Sequence, residues 1–235
     1  MRRAVDAKDR LTRRKSIMEA ARMLFSKGDG ALPTAAEVAL AAGLAKGTVY
    51  LYFKTKEEIF ANVLLEGWLP LLASAQTIFR SSETRSNLQQ ARAFIKATVR
   101  HLEKKPELMR LDALGAGVLE KNMTPEALQK YKHSFHQGLS DAGSQIELAL
   151  RLESGRGVQL LMRTYALARG LWQTAIHYEV LAESGIDSYR GQPSLPFSKD
   201  LAEALDEYWR GALSQPPVRP RSAFRAVPEA ASAET

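Results

Sequence analysis

The stretch Thr34-Ala-Ala-Glu-Val-Ala-Leu-Ala-Ala-Gly-Leu-Ala-Lys-Gly-Thr-Val-Tyr-Leu-Tyr-Phe53 reads as two short helices and the turn between them. Thr34 and Glu37 stand at the spacing of a capping box, in which the hydroxyl accepts from the amide of residue 37 while the carboxylate reaches back to the amide of residue 34. A helix therefore starts there and runs to about Ala41, since Gly43 supplies the positive φ a tight turn needs. A second short helix, about Ala45 to Tyr52, follows at once. Upstream, Ile17, Ala20, Ala21, Leu24 and Phe25 recur at helical spacing within about Arg10 to Lys27, and Gly28 is a natural stop. Two short helices joined by a glycine turn behind a basic helix make a helix-turn-helix, whose second helix enters the major groove of DNA.

Downstream the helical spacing continues, with no stretch of alternating β-branched residues, so the chain reads as all-α with about nine helices. Thr55-Lys-Glu-Glu58 is a second capping box and opens a fourth helix that buries Ile59, Val63, Leu64 and Leu71; Pro70 should kink or end it. Further helices are expected over about Ser86 to Lys105, Pro106 to Lys121, from Thr124-Pro125 onward, and Gly157 to Ser184 with a stop at Gly185. Gly115 and Gly117 weaken the sixth and suggest close packing, a bend or a mobile segment, the last being favoured. A final helix opens at Ser198, with Phe197 and Ala202 placed for a hydrophobic staple, and ends near Leu213. The expected organisation is a disordered basic arm over 1–9, a helix-turn-helix domain over 10–56, an effector-binding and dimerisation domain over 57–214, and a disordered, proline-rich tail over 215–235. The loop 186–196 carries two prolines.

The net charge of +7 is concentrated at one end. Residues 1–56 hold 12 Lys/Arg against 5 Asp/Glu, whereas residues 57–235 hold 21 of each. A basic head on a neutral body is the footprint of a nucleic-acid-binding domain, although a solvated basic surface has the same charge. With no cysteine in the chain, disulfides, thiolate metal sites and a cysteine nucleophile are excluded. No apolar run approaches the roughly 20 residues that cross a bilayer, and the N-terminus does not read as a signal peptide. The expected location is the cytoplasm, without membrane association.

The run Ala42-Gly-Leu-Ala-Lys-Gly-Thr-Val-Tyr-Leu-Tyr-Phe-Lys-Thr-Lys-Glu-Glu58 resembles the DNA-binding signature of the tetracycline-repressor (TetR) family, and the likeness extends from residue 12 to about 65. It implies a DNA-binding regulator, by the family's usual mode a repressor, with Lys46, Gly47 and Thr48 at the groove-facing start of the recognition helix. Lys46 can donate to guanine or to a phosphate, Gly47 lets DNA approach its backbone, and Thr48 suits a phosphate or a thymine methyl. Tyr50 and Tyr52 match the family's backbone-contacting aromatic positions. Lys56 opposes the dipole of the helix it opens, a conflict a phosphate relieves. Arg13, Arg14 and Lys15 follow the same logic or are simply solvated. Thr34 is a cap that also suits a phosphate. The family usually has Ser or Thr before the lysine; Ala45 lacks that cap, at a cost of about 1 kcal/mol.

The resemblance also implies a small-molecule effector held within the second domain and a homodimer reading a pseudo-palindromic operator, with half-sites roughly 34–36 Å apart. Trp68, Phe94, Met109, Tyr131, Phe135, Tyr165 and Trp172 are bulky enough to line a pocket, although for any single one plain core is the better reading. For the dimer interface the candidates are Ala166, Arg169, Gly170, Ala175 and Ile176, joined by Tyr165, with Leu201, Leu205, Tyr208 and Trp209. His133-x-x-His136 with Asp141 is a weak metal constellation without a third well-spaced ligand, so no metal, cofactor or enzymatic activity is expected. The rival reading is a DNA-binding protein that acts through a protein partner with no small-molecule inducer.

Overall fold

The computed structural model describes residues 2–80, 85–183 and 196–214; side chains are described from residue 9 and, in the helix ending at Glu183, up to Ile176. Among the described residues there are nine α-helices and no strand: α1 Arg2–Lys27, α2 Ala35–Ala41, α3 Lys46–Tyr52, α4 Lys56–Arg80, α5 Asn87–Glu103, α6 Pro106–Ala113, α7 Pro125–Leu150, α8 Arg156–Glu183 and α9 Phe197–Ser214. The expected stop at Gly185, the loop over 186–195 and the tail over 215–235 lie outside the described residues. α1 begins at Arg2, so the stretch read as an unstructured basic arm continues the helix.

The capping chemistry places the helix starts. Thr34 caps α2 in a complete capping box, Ser86 and Gln89 form another at α5, and Thr124 caps α7 with Pro125 in its first turn. Gly43 turns the chain at φ +67°. α9 begins at Phe197 rather than after a Ser198 cap, its first amides bonding to the Pro196 carbonyl.

Two expected breaks do not occur as read. α4 does not end at Pro70 but continues to Arg80. Pro70 is exposed, so water can satisfy the carbonyl its ring leaves unpaired, while Trp68, Leu71, Leu72, Ala75 and Phe79 are buried on either side and hold the helix line. The sixth helix stops at Ala113 and gives way to a π-helical turn, Gly115–Leu119, and a 3₁₀ turn, Glu120–Asn122. By composition α4 is long and apolar enough to cross a bilayer, yet most of it is buried as the central helix, packed on α1, α5, α6 and α7. α7 crosses α8 through glycine on both sides: a Cβ on Gly157 would lie 2.0 Å from the Gly143 carbonyl oxygen.

Candidate nucleic-acid interface

α1, α2 and α3 share a small core of Ile17, Ala21, Phe25, Val38, Val49 and Phe53, all at most 1% exposed. Around it the start of α2, one side of α3 and the start of α4 enclose an open cleft of about 380 Å³. Thr34, Ala35 and Ala36 form one wall, Lys46 and Tyr50 the second, and Lys54, Thr55, Lys56 and Glu57 the third. Three ammonium groups and a phenol on one concave surface suit phosphate oxygens, which carry most of the affinity in DNA binding. The Thr34 hydroxyl is already engaged, accepting from the Glu37 amide (3.2 Å) and donating to its carboxylate (2.7 Å). The Thr34 backbone amide, and after it the Thr34 hydroxyl, donate to the Glu37 carboxylate and hold it below the usual range. Thr34 therefore shapes the cleft chiefly as a cap. Ala45 makes no side-chain cap to α3.

Arg14 is placed differently from its sequence reading. Its guanidinium lies 4.3 Å from the centre of the Phe53 ring and donates to the Asn62 side chain at 2.7 Å, fastening α1 to α4. Burial lowers its pKa from the ordinary arginine value, opposed by Glu66 and Glu58. This is a brace inside the protein. Arg13 and Lys15 are exposed, whereas Tyr52 is half-buried against the core. Gly47 and Thr48 lie on α3 outside the cleft. The second capping box is also rearranged: the Thr55 hydroxyl accepts from the Glu58 amide, but the Glu58 carboxylate accepts from the Lys54 amide (2.7 Å) and from the Thr124 hydroxyl (2.9 Å). Glu58, 6% exposed, thus ties the head to the start of α7.

The second tie is Arg110. From α6 it donates to the carbonyls of Gly28 (3.0 Å) and Ser26 (3.0 Å), with a longer bond to Phe25 (3.5 Å), covering the end of α1. Two residues on, Asp112 is buried in the body. It accepts from the Trp68 indole (3.0 Å) and the Tyr165 hydroxyl (2.8 Å), with the Arg169 guanidinium 3.7 Å away. Burial pushes the Asp112 carboxyl up, with the hydrogen bonds from Tyr165 and Trp68 opposing it, and pushes the Tyr165 phenol up to about 12. Trp68 and Tyr165 meet edge to face and line an apolar cavity of about 40 Å³ between α4, α5, α7 and α8.

Two family models match the chain. Residues 17–63 match the tetR family of bacterial regulatory proteins, and residues 66–216 match the tetracyclin repressor-like C-terminal domain. The chain belongs to the TetR family. Solved structures share the TetR fold at low identity. One is a TetR transcriptional regulator from Rhodococcus sp. RHA1 (18% identity, TM-score 0.56, covering 88% of this chain and 98% of that one). Another is a putative TetR-family regulator from Mesorhizobium loti (15%, 0.55, 87% and 96%). A third is SmeT, the repressor of a Stenotrophomonas maltophilia multidrug efflux pump (18%, 0.51, 84% and 89%). No curated protein matches the chain. As a TetR-family member the protein is a DNA-binding transcriptional regulator.

Within the TetR body, Trp68, Phe94, Phe135 and Tyr165 line the cavity. Met109 is buried elsewhere in the core, and Tyr131 and Trp172 are half-buried outside the lining. Of the dimer candidates, Leu201, Leu205 and Trp209 are closed off inside the single chain at 0% exposure. Trp209 packs on Phe79 and Phe94 and donates to the Thr164 hydroxyl at 3.0 Å. Those three belong to the intrachain core, and Arg169 is turned inward to Tyr165 and Asp112. Ala166 and Gly170 are exposed, while Ala175, Ile176 and Tyr208 are half-buried. His133 and His136 are exposed, and the described residues contain no group of three metal-ligating side chains. Lys54, Glu58, Arg110 and Asp112 were missed from sequence. Lys54 has a legible signal, lying between Tyr52 and Lys56, and Glu58 is legible as a capping residue though not as a tie to Thr124; Arg110 and Asp112 have none.

Proposed function

We propose that the protein is a homodimeric, cytoplasmic repressor that binds a pseudo-palindromic operator and is released by a small apolar effector. The observation that carries this reading is the double role of α6. Asp112 ties it to the two aromatic walls of the cavity, while Arg110 ties it to the carbonyls ending α1. A ligand of ordinary size needs several hundred Å³. A cavity of about 40 Å³ must therefore expand by parting α4 from α8, which pulls on Trp68, Tyr165 and Asp112 together. α6 and α4 then shift, and the head loses its set relative to its partner. A full switch requires the effector to favour the DNA-incompetent state by about 5.5 kcal/mol. The exposed pair Ala166 and Gly170 on α8, with Ala175, Ile176 and Tyr208, supports a close helix-to-helix dimer contact.

The small size of the cavity favours one other reading, a regulator that works through a protein partner with no inducer. Two measurements discriminate. Sequences selected from random DNA should be pseudo-palindromic, and compounds that raise the melting temperature should release the selected operator. A palindrome bound with equal affinity whether or not a stabilising ligand is saturating supports the partner reading.

A further inference from the structure

The most exposed large apolar side chain on the recognition helix is one the phosphate cleft does not use. Leu51 is 71% exposed and lies outside the cleft, whereas Val49, two residues earlier, is 1% exposed and marks the core-facing direction of α3. At about 100° per residue, Gly47 and Leu51 each fall about 160° from Val49, one on either side of the outermost line and one turn apart. Lys46 and Tyr50 turn to the cleft, and Thr48 is half-buried on the other flank. The outer ridge of the helix thus carries no hydrogen-bonding side chain. It offers a bare backbone at Gly47, where even an added Cβ meets nothing within 4 Å, and an isobutyl group at Leu51.

Base edges in the major groove present donors and acceptors, and one apolar group, the C5 methyl of thymine. We propose that Leu51 reads a thymine methyl, with Gly47 allowing the helix close enough to reach it, so that each operator half-site carries an A·T pair opposite Leu51. This rests on the reading of α3 as the recognition helix and adds the base it selects. Lys46 and Tyr50 hold the helix on the backbone, and the leucine supplies discrimination at its position.

The test uses the full chain and an operator selected from random DNA. Each thymine of the half-site is replaced in turn by deoxyuridine, which removes only the methyl, and affinity is read by fluorescence anisotropy. One position should weaken binding about fourfold per half-site, the worth of one buried methyl group. Leu51→Ala should abolish that dependence, while Lys46→Ala, weaker overall, should keep it. Leu51 is exposed, so unchanged helix content and melting temperature in the variant show that folding is not at issue. A half-site without A·T pairs, insensitivity to every deoxyuridine, or a methyl dependence that survives Leu51→Ala each overturns the proposal. Such results leave the palindromic DNA-binding reading standing; failure to select any sequence brings down both.

Discussion

Replacing Arg110 with alanine removes the contacts that hold α6 on the end of α1. Arg110 is half-exposed, so its two 3.0 Å bonds to backbone carbonyls count at the low end for a charged donor, about 1 kcal/mol each. The 3.5 Å bond to Phe25 adds little. The guanidinium also lies 5.5 Å from the Phe25 ring centre and faces the negative end of the α1 dipole, which together are worth about 1 kcal/mol. Ordering the long side chain offsets a similar amount. Arg110→Ala should therefore cost about 2 kcal/mol, a fall in Tm of about 4–8 °C for a chain of this size. Amide exchange should quicken around residues 25–31 more than in α8. Arg110→Lys should recover less than half, because one ammonium cannot span the Ser26 and Gly28 carbonyls as the guanidinium fork does. The functional readout is the ratio of operator affinities with and without effector, which should shrink towards one as head and body uncouple. If Arg110→Ala leaves Tm, exchange near the end of α1 and that ratio all unchanged, α6 does not carry the signal.

The Glu58 tie predicts that Thr124→Ala loses about 1 kcal/mol from the cap on α7 and one bond to Glu58, whereas Glu58→Ala costs more because the Lys54 amide loses its partner too; urea unfolding of both variants checks the order. Gly157→Ala should destabilise by about 2 kcal/mol or more, since its Cβ would meet the Gly143 backbone and backbone cannot turn aside as a side chain can; a neutral result would mean the α7–α8 crossing is looser than described. His101 sets a pH dependence. Burial lowers its pKa below the ordinary 6.5, against its bond to the Gly67 carbonyl. The folded state thus binds its proton less readily than the unfolded chain. Its contribution to stability is full above about pH 6.5 and declines as pH falls through that value, and His101→Gln should flatten the unfolding free energy between pH 5 and 7.

The parts legible in the sequence are those set by neighbouring residues. The box at Thr34 and Glu37, the turn at Gly43 and the Thr124-Pro125 start are complete within a few residues, and each lies where it was read. Pro70 does not end α4, because whether a proline stops a helix depends on which side faces water, and that is set by what packs around the helix. Arg14 and Arg110 have partners 48 and 82 residues away, so their spacing on α1 and α6 carries no sign of them. Leu201, Leu205 and Trp209 show a second kind of limit. Their periodicity identifies a buried face correctly, but a buried face meets α5 and α8 of its own chain as readily as a second copy.

The geometry of α6 explains why a small displacement in the body should be felt at the head. Arg110 and Asp112 are two residues apart, about 200° around the axis, so one faces the end of α1 and the other the polar knot of Trp68, Tyr165 and Arg169. The helix is only eight residues long and is followed by a π-helical turn, where the backbone is free of regular α-helical bonding. A short rod anchored on opposite faces and released at one end moves as a unit. It cannot accommodate a shift at Asp112 by bending, as a longer helix could, without dragging Arg110 across its carbonyls. Asp112 is also costly to leave half-bonded, because its carboxylate is buried and that burial is offset by two hydrogen-bond donors and the Arg169 charge on two other helices. An effector that parts those helices must therefore carry α6 with one of them or leave a buried charge short of partners. Asp112→Asn lowers that penalty by removing the charge while keeping an acceptor for the Trp68 indole. It should leave operator binding intact and weaken the effector's ability to release DNA; unchanged release would place the coupling in α4 alone.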